Sequence, residues 1–240
     1  MTEPGDEAVH KRDLFGTVRR RPFTRTSPIQ DCAERDTGDA ARGLRWLARR
    51  LAAREARALQ ALRDLPRVPR LVSWNGRQLQ RSWITGLPLH RAAPPGRTYF
   101  RDALTLVRRM HAAGVVHNDL AKEPNWLVAP DGRPALVDFQ LAMRPRHRGR
   151  VFRMLAYDDL RHLLKHKRSY CPEGLTARQR SILARRSPLA ALWAHTGKPA
   201  YRFVTRRLLG WSDREGAGDR GIPQGSSRSN SSDGESPGRK

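Results

Sequence analysis

VVHNDLAKEPNWLVAPDGRPALVDFQLA, residues 115 to 142, is the stretch whose reading decides the fold. Two carboxylates, Asp119 and Asp138, and one amide, Asn125, stand here beside short apolar runs. Oxygen ligands of this kind suit magnesium, which takes one or two carboxylates and fills the rest of its shell with waters and substrate phosphates. One carboxylate is then left over to act as a base. Transfer of a phosphoryl group from a nucleotide needs little else from a protein, because positioning and charge stabilisation carry the reaction.

The local geometry can be read from the same residues. Trp126, Leu127 and Val128 form a strand-like run, and Asp131-Gly132 is a strong hairpin signal. Leu136 and Val137 lead back to Asp138. A turn centred on Asp131-Gly132 pairs position 125 with position 138, so Asn125 and Asp138 are expected side by side at the open end of the hairpin. Pro130 lacks an N–H, so a loop of four residues with the same pairing is the alternative to a loop of two. Asp119 follows Val115-Val116 on a separate loop, placed to take a proton from an attacking hydroxyl.

These residues resemble the protein-kinase-like superfamily. His117-Asn118-Asp119-Leu120 is similar to the catalytic-loop motif H-R-D-L, and Asp138-Phe139-Gln140 is similar to D-F-G. The closest flavour is that of small bacterial kinase-like proteins related to RIO-type and lipopolysaccharide (Kdo) kinases. The resemblance is strong over residues 99 to 142 and weaker over 44 to 90. It implies an α+β, two-lobed protein-kinase-like fold, with a reduced N-terminal lobe and a mainly helical C-terminal lobe. It implies ATP and Mg2+ as cofactors, Asp119 as catalytic base, and Asn125 and Asp138 as magnesium ligands. Lys122 would steady the γ-phosphate, and His117 would stiffen the loop rather than transfer protons.

The chain departs from the family pattern in three places. Four residues, Ala121 to Pro124, separate Leu120 from Asn125, where the family motif has three. Gln140 stands in place of the D-F-G glycine. No G-x-G-x-x-G loop occurs upstream, and Gly16 is the only glycine between Asp6 and Thr37. A nucleotide would be covered by something other than a glycine-rich flap.

Upstream, residues 43 to 64 read as an amphipathic helix, with Leu44, Leu47, Leu51, Ala58 and Leu62 recurring at helical spacing. Glu55 falls on that apolar stripe, and a carboxylate on a buried seam is costly unless paired. By the resemblance, this is where helix αC presents its glutamate to a strand lysine. Lysine is absent between Arg12 and Lys122. Arg35, just before the helix, is therefore the expected partner of Glu55 and the nucleotide-binding cation, with Lys11 second. Arginine presents a different donor geometry from lysine but still neutralises phosphate.

The other elements frame this unit. Residues 1 to 10 are expected to be disordered, and residues 11 to 90 to form the reduced N-lobe. Strands are expected at Gly16 to Arg21 and Ile29 to Ala33, and a hairpin around Asn75-Gly76 from Arg70 to Ile84. The hinge is expected between Ile84 and Gly96, with Trp83 a core residue or a wall of the adenine pocket. The C-lobe is expected over residues 91 to 211. A helix from Tyr99 to Ala113 ends at Gly114. The basic run RPRHRGRVFR at 144 to 153 precedes a helix from Leu155 to Lys167, on which Asp158 or Asp159 could accept backbone N–H groups of the catalytic loop. Thr176 to Gln179 fits a capping box. Residues 198 to 211 read as a docked or interfacial helix, and 212 to 240 as a disordered tail.

Composition bounds the function. The 240 residues carry a net charge of +24, mostly from arginine, which draws the chain to anions. The basic residues are spread out and no aromatic ladder is interleaved with them, so specific nucleic-acid binding is not expected. Two cysteines make no disulfide framework and point to a reducing cytosol. No apolar run of membrane-spanning length occurs. The expected protein is cytoplasmic or peripheral at the inner membrane. Its expected activity is that of a nucleotide-binding serine/threonine-protein kinase. The alternatives are a lipopolysaccharide or sugar kinase acting on a lipid-linked sugar hydroxyl at an anionic membrane surface, and a pseudokinase binding an anionic partner.

Overall fold

The computed structural model describes residues 8–13, 16–22, 31–92 and 95–185. Residues 1–191 form one compact unit and 192–240 another, and every described residue belongs to the first.

Five antiparallel strands make the first sheet: β1 (Ala8–Asp13), β2 (Gly16–Pro22), β3 (Asp31–Asp36), β4 (Leu71–Trp74) and β5 (Gln78–Ser82), in the order β1-β2-β3-β5-β4. Ala8 to His10, expected to be disordered, lie in β1; ladder bonds to β2 hold this polar strand, which hydrophobic patterning does not reveal. The strand expected at Ile29 to Ala33 instead runs to Asp36, because β3 pairs along its length with both β2 and β5; Ile29 lies outside the described residues.

Between β3 and β4 the chain forms α1 (Arg45–Ala61), whose Leu62 N–H closes the last turn on the carbonyls of Ala58 and Leu59. Ala52 and Ala56 let the helix approach the sheet, where they bury Leu79 of β5. Ala33 stands opposite Arg81, and Arg35 opposite Leu79. Side chains directly opposite in a ladder share a face, as do alternate residues along a strand. Ala33, Arg35, Leu79 and Arg81 therefore all face α1.

The larger core lies below this sheet. Leu59 of α1 and Leu62, which caps it, pack with Phe100, Val107 and Met110 of α2 (Arg97–Ala112). The same cluster takes in Trp126 of β7 (Trp126–Val128), Leu136 of β8 (Pro134–Leu136) and Leu163 of α3 (Arg150–Tyr170). β7 and β8 share a small sheet with β6 (Leu87–Pro88). At about 2 kcal/mol for each large apolar side chain removed from water, this cluster dominates the stability of the unit. Gly114, at φ 79, ends α2 as its spacing predicts.

α3 is longer than the expected Leu155 to Lys167 and takes in Arg150 to Arg153 of the basic run. α4 (Ala177–Ala184) opens on the capping box of Thr176 and Gln179. In the expected hinge, Leu89 is buried and donates its N–H to the Trp126 carbonyl at 2.9 Å. Trp83 is half-buried rather than a core residue, and the Arg20 guanidinium lies 5.1 Å above its ring. The segments 198 to 211 and 212 to 240 lie outside the described residues. Among the described residues no helix is long and apolar enough to cross a membrane.

Candidate active site

The hairpin that carries Asn125 has a loop of three residues, not two or four. Ala129 N–H bonds to the Arg133 carbonyl at 2.9 Å, and Gly132 N–H to the Ala129 carbonyl at 2.8 Å. Pro130 suits the first corner of such a turn, and Gly132 takes the left-handed conformation at φ 76 that closes a three-residue loop. An odd loop moves the register by one. Trp126 faces Leu136, and the Asn125 carbonyl accepts the Val137 N–H at 3.1 Å. The expected pairing of 125 with 138 is therefore corrected to 125 with 137, and Asp138 is the first residue beyond the ladder. It turns away at φ 63, ψ 66, a conformation that aspartate tolerates better than most side chains, and its Oδ1 is buried.

Asp119 and Asn125 come together across the loop that follows His117. The Asn125 amide nitrogen donates to the Asp119 carbonyl at 2.9 Å and to Asp119 Oδ2 at 3.0 Å. That leaves Asn125 Oδ1 as the atom available to a cation. The residue added to the family spacing is absorbed in a tight turn: Lys122 N–H bonds to the Asp119 carbonyl, and Asn125 N–H to the Lys122 carbonyl. Lys122 Nζ lies 3.0 Å from Asp119 Oδ2.

The loop is fastened from below. His117 is fully buried, its Nε2–H donates to the Val137 carbonyl at 3.0 Å, and its ring centre lies 4.6 Å from that of Phe139. Asp159 of α3, 1 % exposed, accepts the His117 N–H at 2.8 Å and the Asn118 N–H at 2.9 Å. His111 Nε2 lies 3.1 Å from Oδ2 of the same carboxylate. The Leu120 carbonyl receives both Trp126 Nε1–H at 3.0 Å and His166 Nε2–H at 2.8 Å. Burial, opposed by this bond, pulls the His166 imidazole below its ordinary pKa.

Glu55 is fully buried on α1, but its partner is Arg81 of β5, not Arg35. Arg81 Nη1 lies 2.9 Å from Glu55 Oε1 in an ion pair whose angles are not those of a hydrogen bond. The small side chain of Ala33, opposite Arg81, leaves the arginine room to cross to the helix. Arg35, 5 % exposed, instead donates to Gln140 Oε1. Arg54 of α1 adds bonds to the carbonyls of Leu141 and Ala142, so the residues after Asp138 are tied to both the sheet and α1. Lys11, the second expected partner, stands on β1, whose side chains are not described. Arg81 could have been found from the sequence by asking which cation neutralises a buried Glu55, but only with the β3–β5 pairing in hand.

The donor set fits a magnesium nucleotide. Among the described residues no three His, Cys, Asp or Glu side chains converge as a metal site. A magnesium ion completed by phosphate oxygens and water would need only one or two protein oxygens, and Asn125 Oδ1 and the Asp138 carboxylate would be the ones to hold it. A five-stranded sheet, a helix carrying a buried ion-paired glutamate, and a loop and hairpin presenting Asp119, Asn125 and Asp138 define a protein-kinase-like chain. The RIO domain matches residues 16–173, and the chain belongs to the RIO domain family, within the protein-kinase-like superfamily. Members of that family are atypical protein kinases, which makes the chain a kinase-like, ATP-dependent phosphotransferase by family. Among curated proteins none matches it.

Proposed function

We propose that the chain transfers the γ-phosphate of ATP to a serine or threonine hydroxyl of a protein. The observation that carries this reading is the bond from the Asn125 amide to Asp119 Oδ2. It turns the Asn125 oxygen away from the base and fixes the carboxylate in one rotamer beside it. In this reading MgATP lies between two lobes, the sheet with α1 and the helical remainder. Magnesium, when bound, draws charge from the phosphate oxygens. Asn125 Oδ1 and Asp138 hold it, Asp119 orients the acceptor hydroxyl and takes its proton, and Lys122 screens the charge gathering there. Arg81 and Arg35, on the sheet face towards α1, replace the single strand lysine of the family as sources of positive charge.

Phosphate transfer from γ-labelled ATP tests it, with bacterial extract split into protein and lipid fractions. Label entering the protein fraction with the wild type, and at least about 100-fold less with Asp119→Asn, is the expected result. Label in the lipid fraction alone would replace the protein acceptor by a lipid-linked sugar. The Arg35–Gln140 bond favours one other reading, a pseudokinase, because it pins the residue where the family has a free glycine. No label in either fraction at near-stoichiometric protein is the outcome expected of that scaffold.

A further inference from the structure

A cavity of about 720 Å³ opens on the far side of α1 from Glu55's sheet, beside the segment that follows Asp138. Its wall is one stripe of α1, Arg50, Arg54 and Arg57, and its floor carries Arg144, Arg146 and Arg148. No carboxylate and no aromatic ring lines it. None of the six guanidiniums makes an ion pair with an acidic side chain among the described residues. Arg54 is spent on the carbonyls of Leu141 and Ala142, and Arg148 on that of Ala112. Burial, then the charges of Arg50 and Arg57, pull the Arg54 pKa down, so the cluster repels itself in the absence of a counter-ion.

We propose that this cavity is a binding site for a compact polyphosphate anion, separate from the nucleotide site and independent of the acceptor hydroxyl. Convergent arginines without carboxylates select anions, and their planar forks match phosphate oxygens two at a time. The volume is that of a small-molecule site. A lining without rings offers a nucleobase nothing to stack on, which disfavours nucleic acid. A ligand held by both walls clamps α1 to residues 142–146 and so adds to the tie that Arg54 already makes to the segment behind Asp138.

Titration calorimetry with inorganic tripolyphosphate, on the full chain in 150 mM salt without nucleotide, tests this. One ion per chain is expected. The double variant Arg57→Gln/Arg146→Gln, which removes two exposed guanidiniums with no hydrogen-bond partner among the described residues, should bind at least about 100-fold more weakly, near tenfold for each charge-assisted bond to phosphate that is removed. The control Arg91→Gln/Arg108→Gln removes the same charge from exposed positions outside the cavity and should bind as the wild type does. Equal weakening in both doubles, or many ions per chain, would overturn the site in favour of diffuse attraction to a +24 surface. Capture by phosphatidylserine vesicles that tripolyphosphate cannot reverse would overturn it in favour of a membrane face. Because no ATP is present, the result stands apart from whether the chain proves to be a kinase.

Discussion

The loop from His117 to Asn125 and the five-stranded sheet bury charge in opposite ways. Beneath the loop, the Asp159 carboxylate is saturated by two backbone N–H groups and an imidazole. Against the sheet, Glu55 is equally buried, yet it meets one arginine in an ion pair, and among the described residues neither of its oxygens accepts a hydrogen bond. The first arrangement is rigid, because each donor belongs to a backbone or ring fixed by its own element. The second rests on a single long side chain. The contrast teaches where this molecule fastens a buried carboxylate many times over and where it relies on one contact: the loop carrying Asp119 is held by several elements, while Glu55 of α1 meets a single cation.

The largest effect should come from breaking the rigid side. Asp159→Ala leaves the buried His117 amide and the half-buried Asn118 amide without their acceptor, and urea unfolding should show a loss of about 4 kcal/mol. Activity should disappear with it even where the chain stays folded. Next comes the loose side. Arg81→Ala strands the Glu55 charge and should cost about 3 kcal/mol, whereas Arg35→Ala, which loses one bond to Gln140, should cost about 1 kcal/mol. Restoring stability to Arg81→Ala by adding Glu55→Leu would sharpen the distinction; equal losses at Arg35 and Arg81 would erase it.

A smaller effect is set by pH. His166 has a folded pKa below its ordinary 6.5, so the unfolded chain binds the proton more readily. Its contribution is complete above about pH 6.5 and is lost as pH falls towards the folded value. Stability measured from pH 7.5 to 5.5 should therefore decline, and His166→Gln should flatten part of that slope; His162, shifted the same way mainly by burial, supplies the rest. The smallest effect belongs to the hairpin tip. The Arg67 guanidinium holds the exposed Asp131 carboxyl down at about 2, so its contribution is present above the usual carboxylate range and fades only below it. Asp131→Asn should leave neutral stability nearly unchanged and remove a shallow step between about pH 4 and pH 2.

Much of this is legible in the sequence, and the limits are physical. The residues of the loop, the hairpin and the stripe on α1 declare themselves because their signals are local: a turn dipeptide, a helical period, a carboxylate on an apolar seam. The register slips by one because Pro130 and Gly132 together make an odd loop, a choice that the Asp-Gly pair alone does not reveal. Arg81 escapes a reading of the sequence because its contact with Glu55 depends on β3 lying beside β5, a pairing between strands more than forty residues apart. Asp159 is half visible: its helix and a neighbouring aspartate are in view, but only the docked helix decides which of the two reaches the loop.

The span between Asp159 and the amides it holds has a consequence for how the molecule comes into being. Synthesis adds Asp119, Asn125 and Asp138 to the chain before any residue of α3. Until Asp159 arrives, forty-two residues after His117, the loop lacks its anchor. The docking of α3, and not the synthesis of Asp119, Asn125 and Asp138, therefore completes the shape of the loop. For the same reason the amide protons of His117 and Asn118 should exchange with solvent only when α3 lifts away, and so report on that helix rather than on their own loop.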